Sequence, residues 1–249
     1  MESTAPVITN IKDLIEKLSS NKVGEATPTW FRGCYNKDFG LIPTIYRSGK
    51  SVSETELLRK FKQNAVLLIE QRPTTPYEWL FVMRQYGILS RLLDWSENPL
   101  VALFFAVNQD PRHNGALWFM KPIELNRVTL ASKKYKNTDK FLPSFEEDKD
   151  IMEPYMPQPG FETQKRKLLP IAFIAPRNTR RMLAQSSVYT IHHLDKRGIE
   201  KIFDKGIIRK YEIPRDSKNI IRKELNLLGI TEFGLFPEPG MIKSKIESN

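Results

Sequence analysis

Apolar positions first recur at helical spacing at Ile11, Leu14, Ile15 and Leu18, one face of a short amphipathic helix over 8–18, with Asn10 placed to cap it. The aromatic content of 29–34 predicts a strand, where Gly33 lets the backbone turn or approach another group closely. Ser53-Glu54-Thr55-Glu56 fits a capping box, and Leu57, Leu58, Phe61, Ala65, Leu68 and Ile69 follow at helical spacing before Pro73 stops the run. Thr75-Pro76-Tyr77-Glu78 repeats the signal with proline in the first turn, which predicts a helix through Gln85 ending near Gly87. Asn98-Pro99 opens another through Leu100, Val101, Leu103, Phe104 and Phe105, apolar nearly all round and therefore buried.

Short β-branched or aromatic runs at 115–120, 168–175, 187–193 and 207–213 are bounded by turn residues, as strands are. Most follow one another without a long helix between them, so the fold class predicted is α+β, a largely antiparallel sheet with helices packed around it. The polar, Lys-rich stretch 126–166 lacks clean periodicity and is expected to be a long loop or small insertion over the core. Residues 217–228, with Ile220, Ile221, Leu225 and Leu228 ahead of Gly229, predict a capped terminal helix. No internal repeat interrupts the pattern, and residues 1–249 are taken as a single domain.

Composition narrows the class. At 249 residues and 40% hydrophobic content the chain can bury a large core, yet no stretch approaches the roughly 18 apolar residues of a membrane span. Met1-Glu2-Ser3-Thr4 shows neither the basic nor the apolar region of an export signal. The single cysteine, Cys34, fits a reducing compartment, so a cytoplasmic location is expected. The formal net charge of +10 favours an anionic partner, nucleic acid or another anionic macromolecule. Its clusters lie at Lys133-Lys134, Lys165-Arg166-Lys167, 177–181 and Arg209-Lys210.

Three places carry candidate chemistry. Arg32, between Phe31 and Gly33, is held at a strand end and presents a fork suited to phosphate; the alternative is an arginine paired with a surface carboxylate. Arg91, Asp94 and Ser96 are interleaved with core-type residues before the buried helix at Asn98-Pro99. There Ser96 and Asn98 present an anion-binding helix start, and Asp94 pairs with Arg91 or Arg32, or else Asp94 and Ser96 only cap the helix. Gln185 stands at the entrance of the strand 187–193, either in a site or tying two strands together. His192 and His193 are adjacent and point to opposite faces, so no shared metal is expected. Zinc spacing, the Walker loop, GxGxxG and GxSxG are absent, and Cys34 has no identifiable histidine partner as a nucleophile.

Trp30-Phe31-Arg32-Gly33, the block from Tyr86 to Ala106 containing Arg91-Leu92-Leu93-Asp94-Trp95-Ser96 and Asn98-Pro99-Leu100, the stretch 181–192 with Ala184-Gln185, and Gly229-Ile230 to Leu235-Phe236-Pro237 together resemble the FRG domain family. That resemblance covers nearly the whole chain and implies a single FRG-type domain, from a family frequent in bacterial and phage contexts. The chain departs from the family pattern at Cys34, where glutamine is usual, and at Arg84-Gln85-Tyr86-Gly87, where Gln-His-Tyr-Gly is usual. Any mechanism that requires that histidine fails here.

The order Arg32, Ser96, Gln185 is also similar to the ADP-ribosyltransferases of the Arg-Ser-Glu kind. This second resemblance implies an ADP-ribosyltransferase-like fold and an NAD-consuming transferase of a bacterial or phage toxin or defence system. NAD is then a substrate and no metal is required. It implies Phe31, Arg32, Gly33, Tyr86, Arg91 and Ser96 at the dinucleotide, with Gln185 in the glutamate's place and Asp94 (or Glu97) supplying the missing charge. Glycosidic cleavage of NAD passes through an oxocarbenium-like state that a carboxylate stabilises, whereas a carboxamide only orients. The alternative is a binding module without catalysis, in which Arg32, Arg91 and Asp94 form a buried structural network.

Overall fold

A computed structural model describes residues 6–25, 27–49, 52–69, 72–131, 142–165, 167–241 and 246. From the N-terminus the elements run α1 (Ile11–Ser20), β1 (Trp30–Cys34), α2 (Thr44–Arg47), α3 (Glu54–Ala65), α4 (Pro76–Gln85), β2 (Leu92–Ser96) and α5 (Pro99–Val107). There follow β3 (Gly115–Met120), α6 (Pro122–Leu130), α7 (Lys149–Met152), β4 (Ile171–Phe173) and α8 (Arg180–Ala184). The chain closes with β5 (Ser187–Ile191), α9 (Ile199–Ile202), β6 (Ile208–Ile213), α10 (Lys218–Leu227) and α11 (Glu232–Leu235).

The caps read from the sequence form. Asn10 accepts from the Asp13 amide, Ser53 from Glu56, and Asn98 from Leu100 and Val101. Thr75 and Glu78 complete a reciprocal capping box at α4. The strands build one six-stranded sheet in the order β4-β5-β2-β1-β3-β6, and every neighbouring pair is antiparallel. The α+β class with an antiparallel sheet therefore holds.

Helices cover the sheet on both faces. One core packs α3 and α4 against Phe173, Tyr189 and Ile191 of β4 and β5. A second sets α1, α5 and α10 against Phe31, Leu117, Phe119 and Tyr211. A third gathers Trp30, Trp95 and Trp118 with Leu125 and Ile199 on the other side. Alternation along β1 explains the split, since Trp30 and Cys34 join the third core and Phe31 the second. Among the described residues no helix is long and apolar enough to cross a membrane.

Three details differ from the sequence reading, and a fourth shows which group Gly33 approaches. Leu92–Ser96 is a strand, although its pattern shows only a polar-studded approach to α5. The run beginning at Glu54 ends as a helix at Ala65, short of Ile69. Stretch 126–166, of which 132–141 and 166 lie outside the described residues, is not a featureless loop: its first residues belong to α6, and Tyr155 and Phe161 are buried. Asn126 takes both backbone groups of Ala172 at 2.8 Å, satisfying the outer edge of β4 where no further strand pairs. Gly33, finally, gives its room to a helix. A side-chain carbon there would stand 1.8 Å from the Ala102 carbonyl oxygen and 2.6 Å from the Ala106 nitrogen, so α5 rests directly on β1.

Candidate functional site

β1 is joined to β2 only through Phe31 and Ser96, whereas it pairs with β3 along its whole length. Beyond that contact the two central strands part. The gap between the halves β4-β5-β2 and β1-β3-β6 is a cleft of about 360 Å³, within the size range of small-molecule sites. Arg32, Asp94, Ser96 and Gln185 all line it, with Phe31, Gly33 and Cys34 of β1 on the same wall.

Arg32 crosses the gap. Its Nη1 donates to the Asp94 carbonyl at 2.5 Å and stands 3.8 Å from the Asp94 carboxylate. Its Nε is buried and has no hydrogen-bond partner. Asp94 is gripped by Arg84, whose Nη2 donates to Oδ2 at 2.6 Å and whose Nε lies 3.0 Å from the same oxygen. Burial pushes the Asp94 carboxyl up, but the charge and hydrogen bonds of Arg84, and then the charge of Arg32, outweigh it and hold the carboxyl below its ordinary range. Asp94 is therefore a fixed negative charge at neutral pH, suited to stabilising positive charge and poorly suited to taking up a proton.

Ser96 donates its hydroxyl to the Gln185 carbonyl at 2.7 Å and accepts from the Asn98 amide at 3.0 Å. Glu97 reaches the Ser186 carbonyl at 3.1 Å through its backbone amide, and Ser186 adopts a left-handed φ of 47°. These contacts pin the turn entering β5 against the end of β2. The Gln185 side chain then donates to the Leu235 carbonyl at 3.0 Å. Thus a residue of α8's cap, the end of β2 and the segment carrying α11 fix one carboxamide on the cleft wall.

Three residues expected at the ligand sit elsewhere or serve the fold. Arg91 is 2% exposed and does not line the cleft. It is held by Glu54 at 2.6 Å, by the carbonyls of His192 and Tyr155, and against the Phe161 ring. Tyr86 follows the last residue of α4 and turns outward onto Phe61, so its neighbours Gln85 and Gly87 border the cleft instead. Phe31 borders it, but its ring is buried edge-on against Phe119. Glu97 is also absent from the wall, being paired with Arg177. Asp94 is the one carboxylate there among the described residues.

The reading of the sequence missed Arg47, Arg84 and Gln85. Arg47, Arg84 and the cleft residue Arg181 each stand in the last turn of a helix, where a cation meets the negative end of the helix dipole. An arginine in the last turn of a helix was the available signal, but only folding brings the three ends together. The Gln85 amide donates to the Tyr189 hydroxyl at 3.3 Å, and burial, then the charge of Asp94, push that hydroxyl above its ordinary value. Cys34 lies on the wall as a buried free thiol.

Residues 27–115 match the family model of the FRG domain. Curated proteins and solved structures yield no match. The matched span contains Trp30-Phe31-Arg32-Gly33 and the whole block through Ala106, and it ends before Gln185 and α11. Residues 27–115 are thus similar to the FRG domain, and this matched part supplies Arg32, Arg84, Asp94 and Ser96 to the cleft.

Proposed function

We propose that this chain is an ADP-ribosyltransferase-like domain that takes NAD as substrate in the cleft and acts in a bacterial or phage toxin or defence system. The observation that carries the reading is the convergence of Arg32, Ser96 and Gln185, from three distant segments, on one cleft between the central strands. The cleft is rich in guanidinium groups, as a dinucleotide diphosphate requires. Arg32 has a buried donor still free for a phosphate or ribose oxygen. Ser96 acts at one remove, fixing the backbone of Gln185. Gln185 orients the ribose, and the ionised Asp94 is the only negative charge on the wall among the described residues to meet the developing oxocarbenium. With a neutral carboxamide in the glutamate's place the turnover is slow. The net charge of +10 favours a nucleic acid over an acidic-patch-free protein as acceptor.

The test is incubation of the protein with labelled NAD and with DNA, RNA and protein acceptors, following nicotinamide release and label transfer. Wild-type protein releases nicotinamide, and Arg32→Ala lowers the rate about tenfold to a hundredfold, the value of one or two charged hydrogen bonds. Absence of release from the wild type with every acceptor ends the enzymatic reading.

A further inference from the structure

The charges around the cleft do not balance. Arg32, Arg47, Arg84 and Arg181 line it. Asp94 serves both Arg84 and Arg32, and Glu238 stands 3.5 Å from Arg181. Arg47 has no carboxylate: among the described residues its guanidinium meets only the Phe39 ring, 5.7 Å from the centroid. Burial lowers its affinity for its proton, and the charges of Arg32 and then Arg84 add to that effect, so the three cations repel one another. A fold gains nothing by gathering like charges at a cleft unless an anion joins them.

We propose that Arg47 is the specificity-determining residue of the cleft, a second anion anchor beside Arg32 that selects ligands bringing a diphosphate over those bringing a single phosphate. Arg32 and Arg84, shared through one carboxylate, leave roughly one positive charge to offer, enough for a monoester or diester oxygen. The unpaired guanidinium of Arg47 adds the second. Because it is fork-shaped and backed by Phe39, it can hold two oxygens of the far phosphate at once. The proposal deepens the reading of the cleft as a nucleotide site, yet it concerns binding alone and stands apart from any turnover.

Inorganic pyrophosphate and orthophosphate are the probes, titrated calorimetrically into the 249-residue chain at fixed ionic strength. Wild-type protein binds pyrophosphate about tenfold more tightly than orthophosphate; Arg47→Gln removes that preference, and Arg47→Lys, which keeps the charge, restores part of it. Ligand-free Arg47→Gln melts at the wild-type temperature or above it, because a repulsion is relieved, whereas a structural arginine would lower it. Equal binding of both anions by the wild type, an unchanged preference in Arg47→Gln, or a lowered melting temperature overturns the proposal. Pyrophosphate selectivity without nicotinamide release leaves this inference intact and ends the transferase reading. Nicotinamide release with an unaltered Arg47→Gln does the reverse.

Discussion

Glu54→Ala is expected to cost the fold about 3–5 kcal/mol, the usual penalty for stripping one partner from a buried ion pair. Glu54 and Arg91 are 3% and 2% exposed. Glu54 accepts from both the backbone amide and the Nε of Arg91 at 2.6 Å, while the remaining guanidinium nitrogens reach the carbonyls of His192 and Tyr155. Four segments thus meet on one side chain: the start of α3, the start of β2, the exit of β5 and the turn after α7. Without the carboxylate, the cation stays buried with only neutral acceptors and the Phe161 ring beneath it. Urea denaturation of wild type, Glu54→Ala, Arg91→Met and a Glu54→Leu/Arg91→Met pair measures this. The double variant loses less than either single one, because no uncompensated charge remains. A loss below about 1 kcal/mol in Glu54→Ala would refute the account. Pyrophosphate binding per folded molecule stays unchanged in all of them, since neither residue lines the cleft.

That pair also marks how far the sequence can be read. Local signals carried the scaffold: a cap or a capping box announces each of α1, α3, α4 and α5 because the information sits within four residues. β2 escaped because Leu92, Leu93 and Trp95 are buried on both faces of a central strand, so polar alternation is lost. Arg91, just before that strand, and Asp94, within it, are three residues apart and look equivalent in the sequence. Their fates differ through partners 37 and 10 residues away, Glu54 for one and Arg84 for the other. Arg32, Ser96 and Gln185 could be named in advance because each is a polar residue in or beside an apolar strand run with an unusual neighbour, although Arg32 proves to be the middle residue of β1 rather than its end. What no local pattern could say is that β1 and β2 would touch at a single pair and part, which is the event that makes the cleft. Gly33 shows the same limit, since a glycine's spare volume is visible in the sequence but its occupant, the backbone of α5, is not.

Gln185→Glu is expected to raise nicotinamide release about a hundredfold over the wild type, the scale on which a single well-placed electrostatic group acts in a transition state. The position is already built: Ser96 holds the Gln185 carbonyl at 2.7 Å, and the Glu97 amide on the Ser186 carbonyl fixes the turn into β5 behind it. Glutamate has the same length, so only the charge changes. A carboxylate cannot donate to the Leu235 carbonyl as the carboxamide does at 3.0 Å, and the repulsion between the two oxygens turns the new group toward the arginines of the cleft. The lost bond costs about 1–3 kcal/mol of stability. Gain of rate therefore comes with a lower melting temperature, a combination that a general improvement of folding would not produce. Gln185→Ala provides the control: it loses the same bond to Leu235 and gains no charge, so its stability falls while its rate does not rise. Release by Gln185→Glu no faster than wild type, in protein that is folded and still binds pyrophosphate, would show that the wall at residue 185 does not face the reacting bond. The cleft would then be a binding site, with Asp94 serving only to hold Arg32 and Arg84 in place.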